Sequence, residues 1–163
     1  MRRTFLAAAL AATVTIAIAS ISALEARAAE VGAPELMQAA TALGQQYDTI
    51  YNSRNAAGMA ALYAADGILV LGGPVIRGAD NLKPYYQSRF DAGASDHATR
   101  IAEVHALGSD GAYAVGQFSV MAPTPDGGKH EVKGNLGIVY RHTAEGWRLA
   151  MVTASVPPAP PPK

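Results

Sequence analysis

The chain has 163 residues, half of them hydrophobic, with 13 Lys/Arg against 13 Asp/Glu and no cysteine. A chain of this length makes one domain able to bury a core, and without a thiol it has no disulfide, lipoprotein anchor or thiolate nucleophile. The balanced charge carries no basic excess of the kind that nucleic acid or anionic lipid requires of a partner.

The first element predicted is an export leader. Arg2 and Arg3 form a positive start, and Phe5 to Leu24 is uncharged and rich in Ala, Ile, Leu and Val. Ala26-Arg27-Ala28 then offers small residues at the −3 and −1 positions of a cleavage site, which places the cut after Ala28. An apolar run of about 20 residues can also span a bilayer as an uncleaved anchor. Its Ala and Thr content and the processing site favour cleavage and no stable anchoring afterwards. The expected location is periplasmic or secreted. Arg2-Arg3-Thr4-Phe5-Leu6 resembles a twin-arginine signal, but so short a positive region favours the general secretory route. Removing residues 1–28 takes three Lys/Arg and one Asp/Glu, which leaves a mildly acidic domain.

A folded domain is expected over residues 31–156. Leu36, Ala40, Leu43, Tyr47 and Ile50 recur at helical spacing, predicting a helix of about 18 residues from near Pro34. Asn52 to Asn55 ends it, and Asn55 can cap a short second helix with Met59, Leu62 and Tyr63 inward. Gly67 is expected to break that helix before a strand at Ile68–Leu71 and a turn at Gly72-Gly73-Pro74. Val75–Arg77 stays extended. Asp80 reads as the cap of a third helix, 81–90, with Pro84 near its first turn. Four strands are then predicted: His97–Leu107, Ala112–Met121, Glu131–His142 and Trp147–Val156. Helices first and an antiparallel sheet after is the α+β pattern. The tail at 157–163, dense in proline, is expected to be extended and disordered.

Several side chains invite a chemical reading. Tyr47 and Tyr51 share one helix side, either as core tyrosines or as pocket residues, with Tyr47 able to donate a hydrogen bond. Trp147 reads as core, and Met121 and Met151 as gap-fillers. Ser95-Asp96-His97 looks like a triad, but neighbours on a strand point to opposite faces, and no nucleophile elbow is present. His97, Glu103 and His105 share one strand parity and can all face one side, with Glu103 and His105 roughly 7 Å apart; a solvated strand face is the favoured reading, and a polar pocket feature, an acid/base pair or a metal site the others. A metal there would need His130 or His142 as well. No tight metal motif occurs, and no metal or cofactor is expected. Arg77 is expected to tie loop carbonyls or Asp66, and Arg89 and Arg100 to be solvated unless they meet an acidic ligand. The Gly72-Gly73 and Gly127-Gly128 pairs are turns, without phosphate-loop spacing.

Three stretches together resemble the nuclear transport factor 2-like superfamily, especially its SnoaL-like and steroid delta-isomerase-like (ketosteroid-isomerase-related) branch. They are Tyr47 through Asp66 with its Ala60-Ala61-Leu62-Tyr63-Ala64-Ala65-Asp66 segment, Pro74-Val75-Ile76-Arg77-Gly78, and Gly146-Trp147-Arg148-Leu149. The resemblance covers about Leu43 to Thr153. It implies a cone-shaped curved antiparallel sheet wrapped by about three N-terminal helices around an apolar pocket. The residues it points to as pocket-lining are Tyr47, Tyr51, Leu62, Leu71, Tyr86, Phe118 and Ile138. The steroid isomerases of this branch use a carboxylate base, a first-helix tyrosine and a protonated sheet Asp. Here the tyrosine position is Tyr47, the base position falls on Leu71 and the sheet position near Ile138. Neither Leu nor Ile can hold a proton, so that chemistry is not expected.

Two functions follow from the resemblance. The favoured one is an exported domain without catalysis, binding a small apolar molecule or acting as a dimeric module joined through the sheet face. The alternative is an isomerase- or cyclase-like enzyme moving a proton on a cyclic or polyketide-like substrate, with Tyr47, Asp48, His97 and His105 as candidate groups. A titratable side chain on the pocket wall separates the two.

Overall fold

The computed structural model describes residues 32–158. The expected leader, 1–28, and tail residues 159–163 lie outside the described residues. Helix α1, Ala33–Asn52, starts with Pro34 in its first turn, and Glu35 accepts the Gly32 N–H at 2.8 Å. Its buried stripe is Leu36, Ala40, Leu43 and Tyr51. Helix α2, Ala56–Ala61, is capped as expected, Asn55 Oδ1 accepting from the Gly58 N–H at 2.9 Å. Strand β1 is Tyr63–Val70, so the strand starts well before Ile68. The Leu62 carbonyl accepts the Leu149 N–H at 2.9 Å, which ends the helix and draws Tyr63 into register with Leu149. Gly67 lies within β1, where a Cβ would come within 2.8 Å of the Ala64 carbonyl oxygen. It serves the irregularity between Tyr63 and Ile68 rather than a helix end.

Strand β2, Val75–Arg77, pairs back on β1. Helix α3, Ala79–Asp91, corrects two expectations. Its cap is Gly78 at φ 72, a conformation suited to glycine, and Asp80 sits inside the first turn. Pro84 falls past that turn and removes one helical donor. The strands that follow are β3 Ser95–Leu107, β4 Gly111–Pro123, β5 Lys129–Thr143 and β6 Gly146–Ser155.

The fold is α+β: helices lead, and six strands form one curved sheet in the order β2-β1-β6-β5-β4-β3. The sheet is not wholly antiparallel as expected, because β1 pairs parallel with β6. Those two strands are joined by nearly half of the chain, so no tight turn forces them antiparallel. β3 carries two irregularities, between Ser95 and Ala98 and between Ile101 and Glu103. Extra residues of this kind bend a strand, and here they curve the sheet edge around α1. Inward residues of the strands meet Met59, Leu82, Tyr86 and Phe90, which are almost wholly buried, to make one core. Trp147 packs on its edge. Among the described residues no helix is long and apolar enough to cross a membrane.

Candidate functional site

Two elements meet at the site. α1 presents Tyr47, Asp48, Tyr51 and Asn52, which helical spacing gathers on one side. The start of β3 presents His97 and Thr99. Asn52 locks the two together: its amide nitrogen donates to the His97 carbonyl at 2.9 Å, and its oxygen accepts the His97 N–H at 2.7 Å. Asp48 then accepts three hydrogen bonds, each 2.8 Å long. They come from His97 Nδ1, the Thr99 hydroxyl and the Thr99 backbone N–H. An ionised carboxylate only accepts, so the hydrogen of His97 belongs on Nδ1, and Nε2 carries the lone pair.

The His97 ring is 8% exposed and lies among aromatic rings. Its centroid is 5.0 Å from Tyr47, 4.8 Å from Tyr51 and 6.0 Å from Phe118. It lines a cavity of about 580 Å³ between α1, α3 and the inner sheet face. That volume lies within the range of small-molecule sites, roughly 300–1,000 Å³. Leu69, Leu71, Val120, Leu136 and Val152 make much of the wall, with Tyr47, Tyr51, Tyr85, Tyr86 and Phe118 as its aromatic part. Nδ1 makes the one hydrogen bond of the His97 ring among the described residues. None of the sealed side-chain polar atoms there lacks a partner, so the unbonded Nε2 is not sealed off, on a ring that lines this cavity.

A second polar feature runs through the same wall. Tyr86 OH lies 2.9 Å from Tyr47 OH and 2.8 Å from Tyr63 OH. Each hydroxyl has one hydrogen to give. If Tyr63 donates to Tyr86 and Tyr86 to Tyr47, the Tyr47 hydrogen is left for the cavity. Burial holds all three phenols well above the usual tyrosine range, so they stay neutral donors at ordinary pH.

The sequence profile of the SnoaL-like domain matches residues 40–160. The chain belongs to the SnoaL-like domain family. Among curated proteins nothing matches it. Solved structures similar to this SnoaL-like domain include a ketosteroid isomerase-like protein from Erwinia carotovora atroseptica SCRI1043. That protein is 26% identical with a TM-score of 0.66, over 75% of this chain and 95% of the other. A nuclear transport factor 2-like superfamily protein from Salmonella enterica serovar Typhimurium is 18% identical, TM-score 0.64, over 76% and 92% of the two chains. An NTF2-like protein with a cystatin-like fold from Novosphingobium aromaticivorans is 16% identical, TM-score 0.59, over 89% and 90%. The last two show the fold.

The residues singled out from the sequence divide cleanly on this SnoaL-like domain. Tyr47, Tyr51, Leu71, Tyr86, Phe118 and His97 line the main cavity, and Asp48 stands behind His97. Leu62 is packed in the core at the end of α2, and Ile138 lies on a small void of about 30 Å³ that shares Tyr47, His97, Leu136 and Val152 with the main cavity. His105 does not join His97. The extra residue at Ala102 opposes no partner on β4, so strand parity inverts there and Val104 turns inward. Glu103 and His105 therefore face outward, 3.5 Å apart, and both are exposed. Ser95 donates to its neighbour Asp96 at 2.8 Å and makes no triad with His97. Asp66 is bound by Arg141 at 2.7 Å, not by Arg77, which is exposed. Among the described residues no three His, Asp or Glu gather as a metal site. The sequence reading missed the roles of Tyr63, Asn52 and Thr99. The Tyr63-to-Asp66 segment read as helix, which concealed Tyr63, and backbone bonds leave no mark in composition.

Proposed function

We propose that this SnoaL-like domain moves a proton at a carbon next to a carbonyl, on a small, largely apolar cyclic or polyketide-like substrate. The observation that carries the reading is the Asp48–His97 pair, with Nδ1 held by the carboxylate and Nε2 unbonded on a ring that lines a largely apolar cavity. The Tyr47 hydroxyl donates to the substrate carbonyl oxygen. His97 Nε2 takes the α-hydrogen, and the C–H electron pair becomes the enolate double bond. Tyr47 stabilises the enolate oxygen, and Asp48 stabilises the imidazolium. Return of the proton to another carbon isomerises the substrate. Leu71 and Ile138 leave the steroid-isomerase carboxylate positions empty of acid groups, so the base comes from β3 instead.

The test is hydrogen exchange at the α-carbons of cyclic ketones such as 2-tetralone, followed by NMR in deuterated buffer. The wild-type protein is expected to exceed buffer, and His97→Gln to fall about a hundredfold while still binding ketone. Binding without exchange by the wild-type protein leaves the other reading, a carrier of a small apolar molecule. The wholly apolar character of the Leu69–Leu71–Leu136 wall favours that reading. Export through removal of residues 1–28 completes the proposal. N-terminal sequencing of periplasmic or secreted protein should start at Ala29, and an intact Met1 in the membrane fraction would refute it.

A further inference from the structure

Arg89 stands in the last turn of α3, half-buried, with its side chain on the cavity wall. It is the one Lys or Arg on that wall, and no Asp or Glu lines it. Arg141 and Arg148 elsewhere pair with Asp66 and Glu145 at 2.7 and 3.2 Å. Among the described residues no carboxylate lies within 4.0 Å of Arg89. A cation in the last turn of a helix suits the helix dipole, which accounts for its place along α3. It does not account for the place of a cation on the wall of a largely apolar cavity.

The surroundings give that cation a direction. Burial pushes the Tyr51 and Tyr85 hydroxyls up, and the Arg89 charge opposes the push on both, so the guanidinium sits beside them. Tyr51 is also the ring nearest His97, at 4.8 Å. One tyrosine thus separates the cation from the imidazole.

We propose that Arg89 selects an acidic ligand: an apolar or aromatic body bearing one anionic group, the anion paired with the guanidinium and the body reaching toward His97. Guanidinium forks match carboxylates and sulfonates in geometry, and such charge-assisted pairs outweigh neutral ones in a partly dry site. The proposal rests on the reading of this cavity as a ligand site.

A matched pair of fluorescent probes tests it. 8-Anilinonaphthalene-1-sulfonate and N-phenyl-1-naphthylamine share one apolar body and differ by the sulfonate. Titration of the wild-type protein is expected to show one site, with the sulfonate bound about tenfold tighter. Arg89→Met should erase that preference and leave affinity for the neutral amine unchanged, with the melting curve confirming the fold. Arg89→Lys should keep part of the preference, as a charge without the fork. His97→Gln should keep all of it. Equal binding of both probes by the wild-type protein, or a preference surviving in Arg89→Met, overturns acid selection and leaves the ligand site standing. Failure of both probes to bind overturns the ligand site and this proposal together.

Discussion

At the scale of single residues, the hydroxyl chain asks most of its central member. Tyr86 is 2% exposed and serves both Tyr47 and Tyr63. Removing an end of the chain deletes one hydrogen bond, whereas removing the centre deletes two and takes from the buried Tyr63 hydroxyl its 2.8 Å partner. Tyr63→Phe is therefore expected to cost about 1 kcal/mol, and Tyr86→Phe about 2 to 3 kcal/mol. Urea denaturation of the two variants measures this. Equal losses would show that Tyr63 finds a substitute partner. The legibility of the site follows the same division. Tyr47, Asp48 and His97 could each be picked out because their side chains carry chemistry. That Asp48 meets His97 could not, because 49 residues separate them and only the packing of α1 on β3 closes the gap.

At the scale of elements, the sequence announces helices better than strand phase. The α1 stripe is legible because apolar residues repeat at helical spacing over about four turns. Parity along β3 is not, since a single unpaired residue at Ala102 inverts it. Gly116, across from Ile101, is what admits that irregularity. A Cβ there would stand 2.5 Å from the Arg100 carbonyl oxygen. Gly116→Ala must push β3 away from β4 or shift the bulge, and either loosens the segment that carries His97. A loss of about 1 to 3 kcal/mol is expected, the usual range for forced overpacking. Hydrogen exchange should show the loss concentrated in the amides of β3. Native protection there in Gly116→Ala would place the function of the glycine elsewhere.

At the scale of the whole molecule, the buried phenols set an alkaline limit. Tyr47, Tyr63 and Tyr86 hold their protons more tightly in the folded chain than at the unfolded value of 10.0. Folding is thus favoured by proton retention. That stability is fully present below pH 10 and is lost as pH climbs above it toward the folded values. Denaturant midpoints taken between pH 8 and 12 should fall beyond pH 10, and the buried phenols should ionise only with unfolding. Ionisation of all seven tyrosines near pH 10 in a protein with native circular dichroism would contradict this.

We propose that the outer sheet face joins two copies of the chain as a homodimer. Leu107, Tyr113 and Val115 are 54%, 43% and 45% exposed, high for apolar side chains on paired strands. Tyr113 stands opposite Val139 on β5, and Val115 opposite Gly137, whose missing side chain leaves open space beside them. A face built this way is apolar, with a shallow step at Gly137. Around it lie the exposed polar residues Glu103 and His105. Apolar patches rimmed by polar groups mark contact surfaces, and a two-fold axis would let the Val115 of each copy seat over the other's Gly137. Native mass spectrometry of the chain from residue 29 onward is expected to show a dimer, and Val115→Glu a monomer. The face is remote from the cavity wall, so Val115→Glu should still bind the fluorescent probes with wild-type affinity. A wild-type monomer at tens of micromolar would end the proposal. So would a dimer that survives both Val115→Glu and Tyr113→Glu, because the contact would then have to lie on another surface.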